Sequence, residues 1–256
     1  MSDIKQAVHD QFSKTAEQYR VSAVHAAGED LAKIAELVAK ESAPYVLDAG
    51  CGAGHTAIKV APHSAEVIAF DLSAQMLEQV ERLASERKLT NVQTRQADVE
   101  NLPFEDATFD IVTSRYSAHH WPNPRKALSE IARALKPGGR FILSDSVASE
   151  EPTFDTFLQA LEVLRDPSHV RDHSESQWTA FFEEAGFDVQ VAARWPIPLN
   201  FEDWVKRMAT PELNVAMLRR MYDTASEDIR AAFDIQPDYQ FTIQAALFEG
   251  KKSVRV

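Results

Sequence analysis

The sequence predicts an α/β protein built on a doubly wound, mostly parallel sheet, and three observations lead there. Residues 45–54 (YVLDAGCGAG) read as a buried strand that runs into a glycine-rich turn and then a helix. From this point to Ser144, short apolar runs alternate with amphipathic helical segments, the βαβα rhythm of a parallel sheet with helices on both faces. The first three of these strands are each followed by an aspartate, Asp48, Asp71 and Asp98. Open α/β sheets collect their ligands at those strand ends.

The elements follow in order. Residues 2–19 suit a helix with Ile4, Val8, Phe12 and Tyr19 along one stripe. A second helix fits residues 23–40, where Leu31, Ile34, Leu37 and Val38 recur at helical spacing, and Pro44 ends it. After the first strand, a helix spans residues 54–60. Residues 67–70 (VIAF) have the apolar composition of a buried parallel strand. Ser73 is a suitable N-cap for the helix carrying Met76, Leu77, Val80 and Leu83. Residues 91–96 and 109–114 supply strands three and four. Pro124 opens a helix to residue 135, KPGG at 136–139 is a turn signal, and residues 140–144 form strand five.

The last third reads differently. Helices fit residues 153–164, 175–185 (stopped by Gly186), 201–208 and 212–222, with a polar, proline-interrupted loop at 165–171. Residues 187–191 suit a strand, and the alternation at 239–248 suits an antiparallel closing strand. No repeat, low-complexity tract or linker forces a division of residues 1–256. They read as one domain, with N-terminal helices (1–43), a ligand-binding core (44–150), a cap with the sixth strand (151–238) and the closing strand (239–248).

Composition excludes several classes. The formal net charge of −12 argues against a nucleic-acid footprint. Cys51 is the only cysteine, so the chain has no intrachain disulfide, no cysteine zinc site and no thiol-rich metal chemistry. No stretch approaches the roughly 20 apolar residues of a membrane span, and residues 1–8 lack a signal-peptide pattern. The expectation is a soluble, cytoplasmic protein.

Three of the chain's 8 glycines fall at alternate positions in the first turn, Gly50, Gly52 and Gly54. Glycine lets the backbone take φ > 0 and lets a ligand approach closely. A dinucleotide would want G-x-G-x-x-G, but here the third glycine comes one position early and His55 fills the expected slot. That spacing suits a ligand whose amino-acid part, rather than a pyrophosphate, lies on the turn. Asp71 can accept from both hydroxyls of a ribose, Asp98 can receive an adenine amine, and Asp48 can hold an ammonium group directly or through water. Ribose, adenine and ammonium together describe S-adenosylmethionine.

The motifs VLDAGCGAG (46–54), FDLS (70–73), ADVENLPFEDATFDIV (97–112) and LKPGGRFILSD (135–145) resemble the successive motifs of class I S-adenosylmethionine-dependent methyltransferases. Within that class, SRYSAHHWPNPRKAL (114–128) and LRDPSHVR (164–171) resemble the YcgJ-like proteins of the ubiquinone/menaquinone-methyltransferase type. The resemblance implies a Rossmann-like doubly wound seven-stranded sheet of order 3-2-1-4-5-7-6 with strand 7 antiparallel, N-terminal helices and a helical cap. It implies S-adenosylmethionine as cofactor and S-adenosylhomocysteine as product. Gly50, Cys51 and Gly52 would lie at the methionine part, Asp71 at the ribose, and Asp98 at the adenine between Leu72, Met76 and Val99. Tyr19 and Arg115 would also stand at the cofactor, Tyr19 near its carboxylate.

The segment after strand four, with Arg115, Tyr116, His119 and His120, would face the reactive methyl. Adjacent histidines in a helical turn point about 100° apart, so one is expected in the pocket, and His119 is preferred as a candidate base. Arg165, His169 and Arg171 are candidates for binding an anionic or carbonyl-bearing substrate. His169 and His173 have i, i+4 metal spacing, but Pro167 and the missing Glu of a zinc-protease pattern argue against an ion, so no metal is expected. The function expected is methyl transfer to a small molecule, with an aromatic or quinone-like acceptor as a candidate and a monomer or homodimer as the assembly. Non-catalytic binding of adenosylmethionine or adenosylhomocysteine is the alternative.

Overall fold

The computed structural model describes residues 3–20 and 28–254, with side chains at 4–13 and 28–254. Among the described residues, the helices α1 (Asp3–Arg20) and α2 (Glu29–Val38) precede the sheet. The alternating core runs β1 (Tyr45–Ala49), α3 (His55–Val60), β2 (Glu66–Asp71), α4 (Ala74–Glu86), β3 (Val92–Gln96), β4 (Phe109–Arg115), α5 (Pro124–Ala134) and β5 (Leu135–Val147). The last third contributes α6 (Pro152–Arg165), α7 (Glu175–Glu184), β6 (Phe187–Leu199), α8 (Phe201–Arg207), α9 (Glu212–Asp223), α10 (Glu227–Ala232) and β7 (Phe241–Lys252).

The seven strands form one sheet of order β3-β2-β1-β4-β5-β7-β6, with β7 antiparallel to both of its neighbours. Side chains alternate between its faces. On one face Leu47, Ile68, Phe70, Val112 and Phe248 pack with Leu128 and Ile131 of α5 and with Trp178 and Phe182 of α7. On the other, Val46, Val67, Ala69, Ile111 and Leu247 pack with Ile34 and Val38 of α2, Val60 of α3 and Val80 of α4. The period of two in β1 and β2 is what lets one strand feed both layers. A third cluster joins α6, α8 and α9 to the start of β7, around Trp204, Tyr222 and Phe241.

The structure differs from expectation in three places. The KPGG turn is absorbed into β5, with a register irregularity against β4 and Gly138 at φ 76°. α10 had no expected counterpart. β6 runs on to Leu199, well past Val191, although it carries Pro196 and Pro198. Alternate prolines put both missing N–H groups on the same side of the strand, and β6 is the outermost strand, so pairing to β7 continues through Leu199. That extension matters because the far half of β6 becomes a cavity wall.

Gly250 of β7 explains how closely α7 packs. A Cβ there would lie 2.5 Å from Cδ1 of Phe182. Overpacking a filled core costs about 1–3 kcal/mol. Gly250→Ala is therefore expected to lower unfolding free energy in a denaturant titration by about that amount, and Phe182→Leu in the same chain to recover part of it. An unchanged midpoint in Gly250→Ala would show that α7 can shift freely.

Candidate active site

Two adjoining cavities open at the carboxyl end of the sheet. The first is built on the glycine turn. Gly50, Gly52 and Gly54 all take positive φ, 69°, 50° and 90°. The amides of Gly50 and Cys51 both donate to the Phe70 carbonyl, which folds the turn against β2. A Cβ at Gly50 would lie 2.0 Å from Oγ of Ser117, whereas one at Gly52 meets nothing within 4 Å, so Gly52 borders open space.

Gly50, Cys51, Gly52, Asp71, Asp98 and Arg115 all line this cavity, and Leu72, Met76 and Val99 add apolar walls. Asp71 is fixed by two backbone donors, Gly52 N to Oδ2 and Ser73 N to Oδ1, both 2.9 Å. Burial raises its pKa against these hydrogen bonds, which favour the carboxylate. A carboxylate oxygen accepts more than one hydrogen bond, so each can still take a hydroxyl. Lys5, Val8 and Phe12 of α1 form the outer wall. The Lys5 ammonium bridges Asp98 (2.6 Å) and Glu100 (2.7 Å), so a ligand amine reaching Asp98 must share it with Lys5. Tyr19 belongs to α1, and its side chain lies outside the described residues.

Asp48 corrects an expectation. It is 1% exposed and does not line the cavity. Its Oδ2 accepts from Ala57 N and its Oδ1 from Thr113 Oγ1, both at 2.9 Å, so it ties the start of α3 and β4 together beneath the turn. Burial pushes its pKa up to about 7. It supports the turn and does not offer an oxygen to a ligand.

The second cavity, of about 480 Å³, shares Phe12, Arg115, Tyr116 and His120 with the first. One wall is apolar: Trp195, Ile197 and Leu199 of β6, with Trp204 of α8 and Met208. Trp178 stays out of it, in the sheet core against Phe181 and Phe248. Phe201 packs in the cap cluster. Arg115 is buried and paired through two nitrogens with Asp30 of α2. Tyr116 holds a strained φ of 48°; Trp195 Nε1 donates to its hydroxyl at 3.4 Å, and burial pushes the phenol up to about 12.

The polar floor lies opposite. His119 and His120 belong to a 3-10 turn, Ala118–His120, and both line the cavity, where only one was expected. Their rings lie 4.2 Å apart. Nδ1 of His119 is 2.6 Å from Oδ1 of Asp145, a buried residue of β5 that also accepts from the Ala118, His119 and Ser146 amides. Burial works against a charged His119, but the carboxylates of Asp145, Asp172 and Glu162 outweigh it and push its pKa up to about 9. Nδ1 of His120 is 3.0 Å from the Ser168 carbonyl; burial, with His119 beside it, pushes His120 down to about 3. Neither value is the near-neutral pKa of an efficient base.

Arg165 and His169 do line this cavity, but Arg165 is engaged by Glu162 (3.0 Å) and stacks over Trp204. Arg171 does not line it. Its guanidinium turns outward to Asp155 of α6, which corrects its substrate-binding assignment. His173 faces Trp178 and Phe181, so it does not pair with His169. Sequence reasoning missed Asp145 and Asp172. Asp145 follows the strand-end rule applied to the first three strands, and extending that rule to β5 would have found it. Asp172 carries no local signal.

The fold and the cavity can be set beside known proteins. The methyltransferase domain family matches residues 47–143, which span β1 to β5. The uncharacterized methyltransferase YcgJ of Bacillus subtilis is 40% identical over 247 residues, covering 94% of this chain and 97% of that protein. This chain belongs to the class I S-adenosylmethionine-dependent methyltransferases. The crystal structure of YcgJ superposes with a TM-score of 0.84 at 37% identity, covering 88% of this chain and 98% of the other. A demethylmenaquinone methyltransferase of Clavibacter sepedonicus is 30% identical over 174 residues, 66% of each chain. The cofactor of this methyltransferase is S-adenosylmethionine. The donor set of the first cavity fits it: an open glycine edge, two carboxylates and an apolar wall.

A charge-assisted hydrogen bond contributes about 1.5–3 kcal/mol, and each 1.4 kcal/mol is tenfold in affinity. Asp71→Ala is thus expected to weaken S-adenosylmethionine binding at least about tenfold by calorimetry. An unaltered titration would remove Asp71 from the site.

Proposed function

We propose that this enzyme methylates a small molecule held in the second cavity, with an aromatic or quinone-like ring bearing an acidic oxygen. The observation that supports this reading is the junction of the two cavities: four residues form a shared wall, and the second space lies within the 300–1,000 Å³ typical of small-molecule sites. When bound, the cofactor supplies a methyl group on a positively charged sulfur, a good leaving group.

The chain's own residues then have three tasks. The β6 wall with Trp195, Ile197 and Leu199 holds the flat apolar body. His119, His120 and His169 on the floor orient the polar end. The buried Arg115–Asp30 pair ties α2 to the end of β4, and with Tyr116 it shapes the passage between the spaces. Holding the two reactants in line and away from water supplies most of the acceleration in such a displacement.

The direct test is a transfer assay with labelled cofactor against phenols, quinols, amines and thiols. Transfer to a phenol or quinol is expected. Label appearing only in macromolecules of a cell extract would overturn the small-molecule reading. Burial of an aromatic side chain against a ligand contributes about 1.5–3 kcal/mol. Trp195→Ala is therefore expected to raise the acceptor KM about tenfold or more while leaving cofactor affinity within about twofold. Equal losses in both would place Trp195 in the fold rather than at the acceptor.

A further inference from the structure

The floor of the second cavity contains donors that neither hydrogen bonding nor packing uses up. Asp172 is 1% exposed. Its Oδ1 accepts from Ser146 Oγ, but its Oδ2 has no hydrogen-bond partner. A carboxyl oxygen left so in a protein interior is costly, and a proton or a cation would compensate it. Around it stand His119 and His169, whose rings are 5.7 Å apart and inclined by 28°. His169 Nε2 lies 3.8 Å from Asp172 Oδ2 and 3.4 Å from Gln159 Oε1, a long contact that an ion would replace. Donor atoms of His119, Asp145 and Asp172 all fall within 4.8 Å of one another, and His169 joins this group through Asp172 alone.

Asp145 is the less suitable ligand of the two acids. Its oxygens already accept from three backbone amides and face Nδ1 of His119. That contact has a second meaning. A histidine whose Nδ1 is engaged by a carboxylate keeps Nε2, on the opposite edge of the ring, for a metal, and this pairing is the usual support behind metal-bound histidines.

We propose that His119, His169 and Asp172 bind a divalent transition-metal ion in the cavity floor, with Asp145 fixing His119 from behind. Two imidazoles and one carboxylate suit a first-row ion such as zinc, cobalt or manganese. Three protein ligands leave open positions towards the cavity, as in catalytic metal sites. The sequence expectation of no metal weighed the single cysteine and the His169–His173 spacing, and the structure separates those two histidines. The ion would hold an oxygen of the acceptor and favour its deprotonated form. That role rests on the methyl-transfer reading, whereas binding of the ion does not.

The test uses the full chain without an affinity tag, stripped with chelator and titrated with Co²⁺ and Zn²⁺ in the absence of cofactor. Calorimetry should show one ion per chain, and Co²⁺ should give the visible absorption of a site with nitrogen ligands. Asp172→Asn and His169→Gln should each weaken binding about tenfold or more, while His173→Gln, outside the cluster, should leave it unchanged. Thermal melts of each variant check that it is folded. No saturable uptake by the stripped wild-type chain would overturn the proposal whatever the variants do. So would uptake that survives in both folded ligand variants, or that is lost in His173→Gln.

Discussion

The arrangement depends first on a buried carboxylate under the glycine turn. Asp48 takes an amide from the first turn of α3 and the hydroxyl of Thr113 from β4, and so locks the strand–turn–helix unit to the middle of the sheet. Three consecutive alternate residues with positive φ are conformationally costly for any side chain but glycine. With the turn held from below, its open edge at Gly52 borders the space lined by Asp71 and Asp98. The first cavity is thus a consequence of how β1 ends.

The second cavity is organised by contacts between segments distant in sequence. The amides of Val170 and Arg171 both donate to the His119 carbonyl, at 2.9 and 3.0 Å. These bonds draw the loop after α6 over the 3-10 turn after β4 and bring His169 and Asp172 beside His119. The result is an acidic, histidine-rich floor buried against a hydrophobic wall. Burial, with the charges of Glu162 and Asp145 nearby, pushes the Asp172 carboxyl up to about 7 against His119 and the Ser146 hydrogen bond. An ion there would relieve that constraint, and so would protonation.

The core elements were legible because each has a local cause. The apolar runs of β1 and β2, the Ser73 N-cap, Pro124 at a helix start and the glycine turn are all encoded within a few residues. Asp71 and Asp98 were legible by the same logic, since a strand end is a local feature with a fixed address in this architecture. Asp48 was misread because the same position can face the ligand or the core, and only the neighbouring Thr113 decides. Arg171 was misread because a basic residue beside a cavity loop points wherever an acid meets it, here Asp155. The extent of β6 was hidden by prolines that only an edge strand tolerates. The floor formed by His119, Asp145, His169 and Asp172 joins three segments far apart in sequence, so no spacing rule could assemble it.

The central claim is that the glycine turn with Asp71 and Asp98 forms the cofactor site, and that Asp48 only supports it. A crystal structure with S-adenosylhomocysteine bound tests this most directly. The account predicts the ribose hydroxyls within hydrogen-bonding distance of Asp71, the adenine beside Asp98 and Val99, and Asp48 still bonded to Ala57 and Thr113. A nucleoside bound away from Asp71, or an amino group bonded directly to Asp48, would contradict it.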